Sequence, residues 1–233
     1  MVYPTLPAAV FALKSSGIRT PKDLAGKTMG SPVFDPGCKA FPIFARANSV
    51  DTSKIIWQSM DPALREVMLA RKQVDAIVSF HFVGQLALNV QGIKDDDKVI
   101  MRYADHGAVL YGSTVIVNPR FAQENPEAVR AFLRALTVTI KDVIADPAGS
   151  IASVRERDGL INDDVELRRL KICLDSAVVT ADARRGGLGA INKRRLENTI
   201  DQVISAFGIK NPVSADGIFD SSYLPAPSAR RLN

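Results

Sequence analysis

A chain of 233 residues, 46% of them hydrophobic and 24% charged, can build one large or two small domains with a real core, which excludes a disordered or fibrous protein. The net charge of +5 comes from 30 basic and 25 acidic residues that are dispersed, and no stretch interleaves Lys and Arg with stacking aromatics, so no nucleic-acid partner is expected. Two distant cysteines, Cys38 and Cys173, and two histidines make neither a disulfide framework nor a multi-histidine metal site, and no apolar run is long enough to span a bilayer.

From the start, Met1 to Val10 lacks the basic opening and long apolar core of a signal peptide. Helix starts are then legible at Thr20-Pro21, Asp61-Pro62, Asn125-Pro126 and Asp146-Pro147. In each, a side-chain oxygen can accept an orphan N–H, and proline fits the first helical position because it has no N–H to leave unpaired. Short Val/Ile-rich runs bounded by Gly, Asp or Pro predict strands at 28–33, 54–58, 74–80, 99–103 and 114–117. Helices are expected over 38–48, 61–72 and 82–91, and then over 126–144, 148–157, 163–174 and 192–207. The tail from Asn211 is rich in proline and serine.

This alternation predicts an α/β fold with a mostly parallel sheet covered by helices. The expected organisation is a first-lobe remnant over 1–28, an inserted α/β lobe over 29–113, and a return to the first lobe over 114–233. Two lobes joined by crossover strands can hinge and close over a ligand. Ligands of such sheets bind beyond the carboxyl ends of the strands.

Candidate binding residues follow from that rule. Ser31, Pro32, Asp35, Cys38 and Lys39 lie in or after the turn that follows the first predicted strand. Free N–H groups at a helix start there favour hydrogen-bond acceptors. Asp35 would repel a sulfonate or carboxylate and Lys39 would attract one, a mixed signal that favours a polar, neutral or aminated ligand such as a pyrimidine-like ring. Trp57, Ser59, Ser79, Phe80, His81, Phe82, His106 and Tyr111 lie at or near strand ends, where aromatic walls with a few polar tips suit a flat organic molecule. The plainer reading of the aromatics is core and hinge packing. Asp61 reads first as a helix cap, and Gly186 to Gly189 as a helix end and loop. Asp95 to Asp97 lacks the spacing of a calcium loop. Cys38 with His81 is the one catalytic pairing worth naming, and a structural cysteine is the plainer reading. No cofactor and no metal is expected.

Three stretches carry a family resemblance. Ser16 to Lys27 followed by Met29-Gly30, Gln73 to Ile77, and Glu124 to Leu133 with Ala145-Asp146-Pro147 resemble, in order and spacing, the NMT1/THI5-like periplasmic substrate-binding proteins of the SsuA/TauA type. Phe219 to Pro225 is similar to that family's closing segment. The resemblance implies a type II periplasmic-binding-protein fold whose first lobe is shortened at its N-terminus, with a homodimer as one compensation. It implies a non-catalytic receptor in the periplasm, working with a membrane permease of an ABC importer. The ligand class it implies is a sulfonate or taurine-like solute, or an aminopyrimidine-like thiamine precursor. A pyrimidine-synthase-related enzyme and a non-transporting remnant of the fold are the alternatives. The cysteine-rich motif of the enzyme branch is missing here.

Overall fold

The structure, a computed structural model, describes residues 1–232. Two compact units emerge. Unit 1 comprises Met1–Thr5, Tyr111–Asp201 and Ile209–Asn233, and unit 2 comprises Leu6–Leu110 with Gln202–Gly208.

Unit 2 is built on a five-stranded sheet ordered β3-β2-β4-β1-β5. The strands are β1 (Ala8–Leu13), β2 (Thr28–Ser31), β3 (Ile56–Ser59), β4 (Ala76–Phe80) and β5 (Lys98–Arg102). β2 runs parallel to β3 and β4, while β1 runs against both β4 and β5. The sheet is therefore mostly parallel, as expected, with β1, next to the edge strand β5, running the other way.

Both faces of the sheet are covered. On one, Ala8, Val10, Ala12, Met29, Ala76 and Val78 meet helix α1 (Pro36–Ala47) through Phe41, Ile43 and Phe44. On the other, Ala9, Phe11, Leu13 and Ile77 meet Leu69 of α2 (Arg65–Ala70) and Leu88 of α3 (His81–Val90). Alternate residues of β1 thus feed two different cores, and all six of its residues are buried. Tyr103 locks α1 to the sheet. It is fully buried, its ring stacks on Phe44 with centroids 4.7 Å apart, and its hydroxyl donates to the Gly37 carbonyl at 3.0 Å.

Unit 1 is helical among the described residues. Its elements are α4 (Pro119–Glu124), α5 (Pro126–Ala145), α6 (Pro147–Arg155), α7 (Asp163–Cys173), α8 (Ala181–Gly186), the first part of α9 (Lys193–Phe207), α10 (Ala215–Ile218) and α11 (Pro227–Arg230). Leu174, Val178 and Leu188 pack with Ile140, Val143 and Ile144. Arg195 binds the chain's two ends of travel within this unit: it donates to the Pro4 carbonyl at 2.5 Å, pairs with Asp182, and lies 4.4 Å over the Tyr111 ring.

Two expectations fail. The first division was expected near residue 28, yet the chain passes into unit 2 at Thr5/Leu6. The reason is β1, whose Ala-Ala-Val-Phe-Ala-Leu run is buried on both faces and so shows no period-two alternation. The return was expected after residue 113 and falls at Leu110/Tyr111. The second failure is Thr114–Val117, which is irregular rather than a strand. A strand needs a ladder, and unit 1 offers no strand to pair with among the described residues.

Candidate functional site

Register places one edge of the sheet at the centre of interest. β2, β3 and β4 end there at Ser31, Ser59 and Phe80. Because Ala8 pairs with Phe80 and Ala9 with Arg102, the start of β1 and the end of β5 share that edge. Leu6 donates to the Leu110 carbonyl at 2.9 Å, so the two ends of the Leu6–Leu110 segment of unit 2 lie side by side.

Within unit 2 a cavity of about 880 Å³ opens where β2 and β3 end and runs along α1. Ser31, Val33, Cys38 and Lys39 line its upper part, with Trp57, Gln58 and Ser59 from β3. Phe41, Pro42, Ala45, Arg46, Val50, Thr52 and Phe207 complete the wall. Trp57 stands edge-on to Phe41, with ring centroids 5.0 Å apart, and remains 40% exposed. Two cations and no carboxylate belong to the lining.

Asp35 explains the missing carboxylate. One of its oxygens caps α1, accepting from the backbone N–H of Gly37 at 2.8 Å and of Cys38 at 3.2 Å. The other accepts from Arg65 at 3.0 Å. Arg65 also donates Nε to Glu66 at 2.9 Å, and Ser79 donates to the same Glu66 oxygen at 3.0 Å. This network is nearly dry, with the Arg65 and Glu66 side chains 7% and 9% exposed. Asp35 is thus turned into the protein and countered by a guanidinium, rather than set against an incoming anion.

Of the thirteen residues expected from sequence, the cavity gathers Ser31, Cys38, Lys39, Trp57 and Ser59. Pro32 is buried in the turn above it. Ser79 is fully buried, its hydroxyl committed to Glu66. Phe80 and Phe82 pack on each other with centroids 6.0 Å apart, and Phe82 is buried. His106 closes a turn through Nδ1 and the Arg102 carbonyl, 2.9 Å apart. Tyr111 lies in the core of unit 1, where its hydroxyl accepts from the Asn192 N–H at 2.8 Å. Asp61 caps the turn before α2 by accepting from Ala63 N–H at 2.8 Å. Sequence reasoning missed Arg65, Glu66, Arg46 and Phe207. Arg46 alone had a local signal, lying seven residues beyond Lys39 on the same helix face.

Cys38 is half-buried, and burial pushes its thiol above the ordinary value, with the Ser31 hydrogen bond opposing. That is the environment of an inert thiol rather than a nucleophile.

His81 opens α3, and its backbone N–H donates to the Pro7 carbonyl at 2.7 Å. Its Nδ1 is buried without a partner. Burial first, then nearby Arg102, holds the imidazole below its ordinary value, while Asp105 and a Gln85 hydrogen bond oppose. In the folded chain the ring therefore resists a proton that the unfolded chain accepts. Its contribution is complete above the ordinary imidazole range, near pH 6.5, and is lost as the pH falls toward the lowered folded value. Urea midpoints are expected to drop between pH 7 and pH 5.5, and His81→Gln is expected to shrink that drop. An unchanged profile in the variant would show that His81 does not titrate in this way.

Among the described residues there is no cluster of three or more His, Cys, Asp or Glu fit to hold a metal, and no helix is long and apolar enough to cross a membrane.

The fold is that of periplasmic substrate-binding proteins. The periplasmic aliphatic sulphonate binding protein SsuA from Escherichia coli superposes with a TM-score of 0.67 at 15% identity, covering 97% of this chain and 74% of that one. The alkanesulfonate-binding protein SsuA from Xanthomonas axonopodis pv. citri, bound to MOPS, gives 0.62 at 17% identity, covering 88% and 68%. The sulfonate-binding SsuA from Methylobacillus flagellatus KT gives 0.59 at 16% identity over 95% of this chain, and this chain spans 65% of its length. No curated protein matches the sequence. The model of the NMT1/THI5 like family matches residues 1–150, well over half of the sequence, and the chain belongs to that family.

Proposed function

We propose that this protein is a solute receptor of an ABC-type importer, binding a small organic anion at the carboxyl edge of the unit 2 sheet and delivering it to a membrane permease. The observation that carries this reading is the cavity beside α1, with Lys39 and Arg46 in its lining, an exposed Trp57 and no carboxylate. A volume of about 880 Å³ is in the range of small-molecule sites. Serine hydroxyls at two strand ends, Ser31 and Ser59, add neutral donors. Sulfonates are bound by the structural relatives named above, and the charge of this lining favours a sulfonate or taurine-like solute over a cationic aminopyrimidine. A receptor of this kind needs no catalytic group, in keeping with the raised Cys38 thiol. Its place would be the periplasm.

Isothermal titration with ethanesulfonate, benzenesulfonate and 4-amino-2-methylpyrimidine tests the proposal. Saturable binding of a sulfonate is expected, weakened about tenfold by Lys39→Gln and further by added salt. Tighter binding of the pyrimidine, or sulfonate binding indifferent to Lys39→Gln, would overturn it.

A further inference from the structure

We infer that the cavity accepts an elongated, flat organic acid carrying an anionic group at each end. This rests on the reading of the cavity as the solute site and goes beyond it by fixing the ligand's shape and charge. Lys39 and Arg46 both line the cavity from α1, seven residues apart. Seven residues are two helical turns, so the two cations are separated by about 10 Å along the helix axis. Between them the lining is apolar: Phe41, Pro42 and Ala45 on α1, faced by Trp57. A single small anion would satisfy one cation and leave the other with none.

Neither cation is spent elsewhere. Lys39 and Arg46 have no ion pair among the described residues, and the one carboxylate a helical turn from Lys39, Asp35, is occupied by two backbone N–H groups and Arg65. Arg46 is nonetheless held in place. It donates to the Ser205 hydroxyl and, through its second terminal nitrogen at 3.0 Å, to the Ser205 carbonyl. These neutral partners orient the guanidinium without cancelling its charge. Phe207, two residues further along the same helix, forms the wall beside it. An aromatic body lying against Trp57 would bridge the two ends, its stacking on the indole adding to the charge contacts.

The probes are benzoate, benzene-1,4-dicarboxylate and 4-sulfobenzoate, titrated calorimetrically into the intact chain and into Lys39→Gln, Arg46→Gln and Arg46→Lys. The dianions are expected to bind about tenfold more tightly than benzoate, a gap of about 1.4 kcal/mol. Arg46→Gln should close most of that gap, weakening the dianions far more than benzoate, and Arg46→Lys should restore it. The lysine variant keeps the charge, so it separates lost charge from damage to the Ser205 contact. Equal binding of benzoate and the dianions, or a gap that survives Arg46→Gln, overturns the inference while leaving the receptor reading intact. If none of the three probes binds while ethanesulfonate does, the inference falls and the receptor reading stands; if ethanesulfonate fails as well, both fall.

Discussion

Replacing Arg65 by methionine is expected to cost about 3–5 kcal/mol of folding stability, the range for removing one partner of a buried ion pair. The side chain is only 7% exposed and pairs with two carboxylates, those of Asp35 and Glu66. Its loss leaves two negative charges facing each other in a dry region, with Ser79 and two backbone N–H groups as their remaining donors. Guanidinium chloride unfolding of wild type and variant measures the cost. The damage should also reach the cavity, because an uncountered Asp35 at the first turn of α1 opposes any anion near Lys39. Weaker sulfonate binding should therefore accompany the lower midpoint, and Glu66→Gln, which removes one of the two carboxylates, should recover part of both in the double variant. A cost under about 1 kcal/mol would mean that water reaches the network and screens it.

How much of this was legible in the sequence depends on where the partners lie. The starts at Asp61-Pro62 and Asp146-Pro147 could be read because each aspartate lies within three residues of the N–H it accepts from, that of Ala63 and of Gly149. The long helix over Pro126–Ala145 could be read because its apolar residues repeat at helical spacing. The cavity's upper rim, Ser31 to Lys39, followed from the rule that ligands lie past strand ends. Three other features were not legible, each for a physical reason. The β1 strand is buried on both faces, so its pattern is a continuous apolar run that fits helix or strand equally well. Asp35 looked like a charge aimed at the ligand because Arg65, which neutralises it, lies 30 residues away. Phe207, in the wall of the cavity, and Ser205, which holds Arg46, come some 160 residues after the α1 side chains they adjoin, and only the tertiary fold brings them together. Thr114–Val117 errs in the other direction: strong strand propensity produced no strand because propensity cannot supply a hydrogen-bonding neighbour.

The reversed strand β1, set between β4 and the edge strand β5, offers the most direct test of the fold. Phe11 is completely buried in β1 among Ala9, Leu13, Leu69, Ile77 and Leu88. Phe11→Ala should cost about 3–5 kcal/mol, the sum of lost burial and the cavity left behind. Gly84 shows how closely α3 approaches that ring: a methyl group placed on it would come within 2.7 Å of Phe11 Cε2 and 3.0 Å of Ser79 Cβ. In an open helix Gly→Ala gains about 1 kcal/mol from backbone entropy. Here the ring and a buried strand atom stand in the way, and neither has room to retreat, so Gly84→Ala should instead cost about 1–3 kcal/mol. Removing the ring reverses the sign. In the Phe11→Ala background most of the obstruction disappears, the methyl group fills part of the vacated space, and Gly84→Ala should become neutral or stabilising. The four proteins form a double-mutant cycle whose coupling should reach about 1–3 kcal/mol by chemical denaturation. Additive costs would mean that α3 does not rest on the Phe11 face of β1, and the place of that strand between β4 and β5 would have to be abandoned.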